Sequence, residues 1–350
     1  MSGVPRLLPG LLACVALAIV ARLLGAALSL GLETALALAI GLVLGSSAGV
    51  RRIVEPGARL AARTALQVGI TLLGARLTLG QVVETGGASV VAIIVVVSVA
   101  LLLGTVLVRR SRLDPVLGAL LTVGMAICGN SAILALSPII AAPHRATAYA
   151  VSTITAFGLL GVLLLPVVAG ALGLPDTVAG TWAGLAVNDT AQVVAAGYAV
   201  SPSAGDVATV VKLTRNLAIL PVLLGATWLV AREARRTMAG DGSVAVSTPR
   251  MIARAVPWFV VGFVVAASLR TIGLLDGPSP LGGSVADLAA TVASLLILIA
   301  LAGVGSSTDV RSLASAGARP FALGATLWVT IGGLGLAFAL IAGGALAPRA

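Results

Sequence analysis

Eleven apolar runs follow one another along this chain, at roughly 7–29, 33–50, 58–79, 88–108, 115–141, 146–170, 178–200, 204–231, 252–273, 284–304 and 319–346. Each is close to the length of about 20 residues that carries a helix across a bilayer. Inside hydrocarbon every backbone N–H and C=O must be satisfied within the protein, and a helix does so within one segment. The pattern predicts an all-α polytopic membrane protein with roughly 10–11 transmembrane helices. Composition agrees. The chain is 59% hydrophobic and 10% charged, with a mean hydropathy of +1.13, where soluble domains carry about 25% charged residues. Its 42 glycines suit helices that approach closely in lipid.

The net charge of +10 does not signal nucleic acid. The arginines form short clusters between apolar runs, as cytoplasmic loops do. The clusters are Arg51, Arg52, Arg59 and Arg63; Arg109, Arg110 and Arg112; Arg232, Arg235, Arg236, Arg250 and Arg254; and Arg311 and Arg319. An even number of runs separates them, so all four can face the cytoplasm together. This places the N-terminus inside and the C-terminus outside, although re-entrant hairpins at 115–141 and 178–200 also fit. The first run is read as a retained helix, with a cleavable signal peptide as the alternative. Two cysteines, Cys14 and Cys128, lie in apolar runs, and His144 is the single histidine. No metal site, cofactor or disulfide framework is expected.

The stretch 232–250 (REARRTMAGDGSVAVSTPR) is the long polar segment. It reads as a cytoplasmic linker between two membrane-embedded regions. The first, residues 1–231, holds the interrupted helices; the second covers residues 251–350. Residues 72–91 resemble 301–321, and 127–142 resemble 186–200, as weak repeats. Corresponding interrupted segments in two related regions point to a transporter's binding site. The first pair fits an inverted repeat; the second is parallel under the simple topology.

Polar residues inside spanning segments are costly and mark pathways by default. Asn188, Asp189, Thr190 and Gln192 sit in the middle of run 178–200. Lys212, the chain's single lysine, follows with Arg215 and Asn216 in run 204–231. Cys128-Gly129-Asn130-Ser131 interrupts run 115–141. Lys212 and Arg215 share a helix face and offer positive potential to an oxyanion. Asn130, Ser131, Asn188, Thr190, Gln192 and Asn216 offer hydrogen bonds. Asp189 offers a coupling or structural charge. The plain alternatives are helix packing, a structural ion pair and snorkelling of Lys212. Gln67, Arg76, Ser306, Ser307, Thr308 and Asp309 are weaker candidates. Ser131 with His144 faintly suggests a membrane serine enzyme.

The segments EPGARLAARTALQVGITLLGARLTL, MAICGNSAILALSPIIAA, AGLAVNDTAQVVAAGY, ATVVKLTRNLAILPV and VPWFVVGF resemble the bacterial inner-membrane family named as sulfate exporters, in order from about residue 40 to 335. The resemblance implies a small anion as substrate and export as direction. The interrupted helices are distantly similar to those of sodium/bile-acid symporters and cation/proton antiporters. The sulfate-exporter family commonly has a histidine where this chain has Asn188, which leaves Asp189 as the titratable candidate. The chain is therefore expected to be a secondary transporter of a small anion, sulfate or an organosulfur anion. The alternative is a cation/proton antiporter or sodium-coupled symporter using Asp189. Expected partners are the small anionic substrate, the lipid bilayer and a coupling proton or sodium; a homodimer is allowed, and an enzyme is not expected.

Overall fold

The computed structural model describes residues 4–28, 33–237, 257–280, 282–308 and 318–346. Residues 238–250 of the expected linker, the candidate Asp309 and the clustered Arg254 and Arg311 lie outside them. Every apolar run has a helical counterpart. The helices are α1 (Val4–Leu28), α2 (Glu33–Ser46), α3 (Ala48–Leu60), α4 (Leu66–Leu73), α5 (Leu79–Ser111), α6 (Pro115–Ala126), α7 (Asn130–Leu136), α8 (His144–Ala171), α9 (Asp176–Ala186), α10 (Thr190–Val200), α11 (Pro202–Asn216), α12 (Ile219–Thr237), α13 (Trp258–Thr271), α14 (Val285–Ser307) and α15 (Ala318–Leu346). Among the described residues the only β feature is the isolated bridge between Pro278 and Ser284.

Among the described residues, six stretches are long and apolar enough to cross a membrane: most of α1, α5, α8, α11 with most of α12, α14, and most of α15. Their outer faces carry bare aliphatic side chains. Leu23, Val83, Val91, Leu102, Val167 and Ile341 are each between 65% and 71% exposed. So much uncovered apolar surface fits a lipid environment, not water. The protein is a multi-pass, all-α membrane protein.

One local expectation changes. The arginines at 51–63 do not occupy a loop. They lie on α3 and on the π-helical turn Ala61–Ala65 that joins it to α4. Val54, Ala58 and Ala61 bury one stripe of this segment with Cys14 of α1 and Ala302 of α14. Arg52, Arg59 and Arg63 project from the exposed side. The apolar positions recur every three or four residues, which is the period of a helix with one buried face.

The helices pack in two groups. In one, α14 lies against α2, α3 and α4, α1 against α2 and α3, and α13 against α4. In the other, α9, α10 and α11 pack on each other, flanked by α5, α6, α8 and α15. Both groups draw helices from either side of residues 232–250. Small residues set the spacing in the first group. A Cβ on Gly305 would lie 2.4 Å from the Leu38 carbonyl oxygen, and one on Gly41 would lie 2.6 Å from that of Ala302. Only residues without a side chain let these backbones approach so closely. Between the groups, α10 touches α2 and α14, and α13 touches α5.

Candidate functional site: a crossing of two interrupted helices

The polar islands of the sequence are helix breaks. Pro115 starts α6, with the Asp114 carboxylate accepting from Leu117 N at 3.2 Å. The helix stops at Ala126. Ile127 leaves the helical region, and Gly129 takes φ 63° and ψ −124° before α7 begins at Asn130. Only glycine holds that conformation without strain. The second break spans Val187, Asn188 and Asp189, between α9 and α10. Val187 and Asp189 are extended, and Asp189 Oδ1 accepts from Ala191 N at 3.0 Å as the N-cap of α10. A Cβ on Gly129 would lie 3.4 Å from Asn188 C and Asp189 N. The two breaks touch, so the related segments 127–142 and 186–200 meet in space.

Each break leaves backbone carbonyls at a helix C-terminus without an intrahelical partner. Lys212 and Arg215, both wholly buried on α11, bind them. Lys212 Nζ donates to Ile127 O at 2.9 Å, to Val187 O at 3.2 Å, and to Asn188 O. Arg215 donates from Nε to Ala126 O at 3.2 Å. Its Nη1 donates to Leu185 O at 2.5 Å and Val187 O at 3.4 Å, and its Nη2 to Met125 O at 2.9 Å and Ala126 O at 3.0 Å. An ammonium has three N–H donors and a guanidinium has five. All of them go to the ends of α6 and α9. The two cations expected to supply positive potential to an oxyanion thus have their hydrogen-bond donors taken up by the fold. The negative ends of two helix dipoles are what hold them there. Snorkelling of Lys212 is also excluded, because its side chain points inward.

Around this knot lies a set of neutral polar side chains. Asn130 Nδ2 donates to Thr155 Oγ1 at 3.3 Å, and Gln192 Nε2 to the Thr155 carbonyl at 3.2 Å. Asn216 Nδ2 donates to Thr190 Oγ1 at 3.4 Å, and Asn188 Nδ2 to Met125 Sδ at 2.9 Å. The crossing therefore gathers Asn130, Asn188, Asp189, Thr190, Gln192, Lys212, Arg215 and Asn216. Ser131 is exposed and stands apart from these bonds. His144 opens α8, about 16 Å along that helix from Thr155, which separates it from the crossing. Thr155 is absent from the sequence-based candidates. A threonine within an ordinary apolar helix gives no signal, and only the fold brings α8 to both breaks. Gly158, one turn on, makes room for Gln192: a Cβ there would lie 1.8 Å from Gln192 Oε1.

The weaker candidates serve elsewhere. Gln67 Oε1 accepts from Trp258 Nε1 at 3.2 Å and ties α4 to α13. Arg76 pairs with Asp206 at 3.4 Å, and Asp206 also accepts from the Tyr198 hydroxyl. Ser306, Ser307 and Thr308 bond to carbonyls of their own helix end.

Known relatives match over most of the chain. The chain is similar to a UPF0324 membrane protein of Streptococcus pyogenes serotype M18, 34% identical over 347 residues, 98% of this chain and 99% of the relative. A UPF0324 membrane protein of Streptococcus agalactiae serotype V is 33% identical over 331 residues, 93% of this chain and 94% of the relative. One from Clostridium tetani is 32% identical over 272 residues, 77% of each. No solved structure matches the chain. A family model matches residues 9–324, and the chain belongs to that family, described as conserved hypothetical protein 698.

Proposed function

We propose that this protein is a secondary transporter of a small anion, seated in a bacterial inner membrane, with the helix crossing as its substrate site. One observation carries the reading: two interrupted helices abut at Gly129 and Asn188, with two wholly buried cations fastened to their ends. Irregular backbone at membrane depth is tolerated only where protein buries it or a cavity is lined by it. Maintaining two breaks side by side is costly, and binding at the breaks is the use that offsets it. Lys212 and Arg215 outnumber Asp189, so the crossing carries positive potential toward an anion. Asn130, Thr155, Thr190, Gln192 and Asn216 orient the substrate. Motion of one packing group against the other alternates access. Export of sulfate or an organosulfur anion is the direction and class that the sulfate-exporter resemblance suggests. Ser131 performs no covalent chemistry in this scheme.

Uptake of labelled sulfate, sulfite and isethionate into proteoliposomes, with and without a pH gradient, tests the proposal. Wild type is expected to show saturable uptake of at least one. Thr155→Val, which keeps the carbonyl and the shape, is expected to reduce it about tenfold, the value of one buried hydrogen bond. No flux of any of the three by folded protein would remove the anion reading.

A second reading, cation/proton antiport or sodium-coupled symport, is favoured by the position of Asp189 where the breaks meet. Asparagine caps helices as well as aspartate does. Asp189→Asn is therefore expected to fold. Loss of sodium or proton dependence with anion binding kept would assign coupling to the carboxylate.

A further inference from the structure

The polar atoms left over at the crossing are acceptors. Four side-chain oxygens there are buried without a hydrogen-bond partner: Asn130 Oδ1, Asn188 Oδ1, Gln192 Oε1 and Asn216 Oδ1. Two of the amides have a settled orientation. The Thr155 carbonyl and the Met125 sulfur can only accept, so the NH2 groups of Gln192 and Asn188 must face them. Their oxygens then point elsewhere. Asn188 and Gln192 are 0% and 3% exposed, which makes each unpaired oxygen costly. The donors of the two cations are already committed, since the three of Lys212 and the five of Arg215 all end on backbone carbonyls.

We infer that the crossing selects an anion carrying its own N–H or O–H donors, and discriminates against donor-free anions of the same size. Positive potential draws the anionic group in, and the amide oxygens of Gln192 and Asn188 accept from the donor end. Amino- and hydroxy-substituted small sulfonates meet both demands; sulfate dianion meets only the first. A site with buried acceptors rejects an analogue lacking the matching donor, because the acceptors then stay unpaired. The inference rests on the transporter reading and narrows its substrate.

The test compares near-isosteres on the full-length protein in detergent. Isethionate and propane-1-sulfonate differ by a hydroxyl in place of a methyl group. Binding is read from ligand-dependent shifts in melting temperature and confirmed by competition in proteoliposomes. Wild type is expected to bind isethionate at least about tenfold more tightly than propane-1-sulfonate or sulfate. In Gln192→Met, which removes the amide at similar volume, the preference is expected to fall toward one while propane-1-sulfonate binding persists. Gly158→Ala, which displaces the same amide by contact, serves as a second variant and is expected to lower the preference likewise. Equal affinity for the three anions in wild type would overturn the inference and leave the transporter reading standing. An unchanged preference in both folded variants would overturn it as well. Stabilisation by sodium over choline without any anion would assign the oxygens to a cation instead. Absence of binding or flux for every anion would bring down the transporter reading with it.

Discussion

Arg215 shows what a single buried residue does here. Its five N–H groups meet backbone carbonyls of Met125, Ala126, Leu185 and Val187. Lysine keeps the charge but has three donors on a flexible stem. Arg215→Lys is expected to lose at least two of these bonds and lower stability by about 2–3 kcal/mol, read as a lower melting temperature in detergent. An unchanged melting temperature would mean that charge alone matters. Arg215→Ala would leave both helix ends bare and is expected to fail to fold, so it cannot report on binding. Lys212 follows the same logic. Both cations were legible as functional candidates, since a charge within an apolar run is expensive. Their job was not legible, because sequence does not reveal which carbonyls lie within reach.

At the scale of the helix, the break after α6 depends on Gly129. Its φ of 63° with ψ −124° lies where side-chain-bearing residues are strained by about 1–3 kcal/mol. A Cβ there would meet Asn188 and Asp189 at 3.4 Å, ordinary contact distance, so the cost is set by the backbone conformation. Gly129→Ala is expected to destabilise the protein by that strain and to impair flux. Gly173 has φ 60° with nothing near its Cβ position, so Gly173→Ala is expected to cost only about 1–2 kcal/mol and to spare flux. Equal flux in the two variants would show that the break tolerates rearrangement. The existence of these breaks could be read from Gly129-Asn130-Ser131 and Asn188-Asp189-Thr190, because polar side chains favour caps over helix interiors. The amphipathic helix α3 could not be separated from a loop by its arginines alone. The buried hydrophobic stripe that it shares with the turn after it is only three positions, Val54, Ala58 and Ala61, and it needed α1 and α14 to pack against.

For the whole molecule, orientation is the open test of the arginine clusters. Cys14 and Cys128 are both buried, so engineered cysteines can be read against a quiet background. Ser111→Cys and Ser243→Cys are expected to react with an impermeant thiol reagent only after permeabilisation. Pro280→Cys is expected to react in intact cells. Labelling of Ser111→Cys and Pro280→Cys from the same side would require a re-entrant segment between them. Packing across the bundle rests on equally sparse chemistry. Gly305→Val would drive a side chain into α2, 2.4 Å from the Leu38 carbonyl oxygen, and is expected to cost about 1–3 kcal/mol, measured as thermal stability.

The sequence by itself determined that this chain is a multi-pass helical membrane protein with polar breaks in two of its runs. Hydrocarbon permits few backbone solutions, and run length and charge are local properties of the chain. Tertiary structure alone decided that the two breaks touch, that Thr155 joins them, and that the donors of Lys212 and Arg215 are consumed by helix ends. Hydrogen bonds between residues 85 to 90 positions apart, from α11 to the end of α6, follow from how helices pack. Packing in lipid turns on small residues and shape, which leave little trace in the one-dimensional pattern.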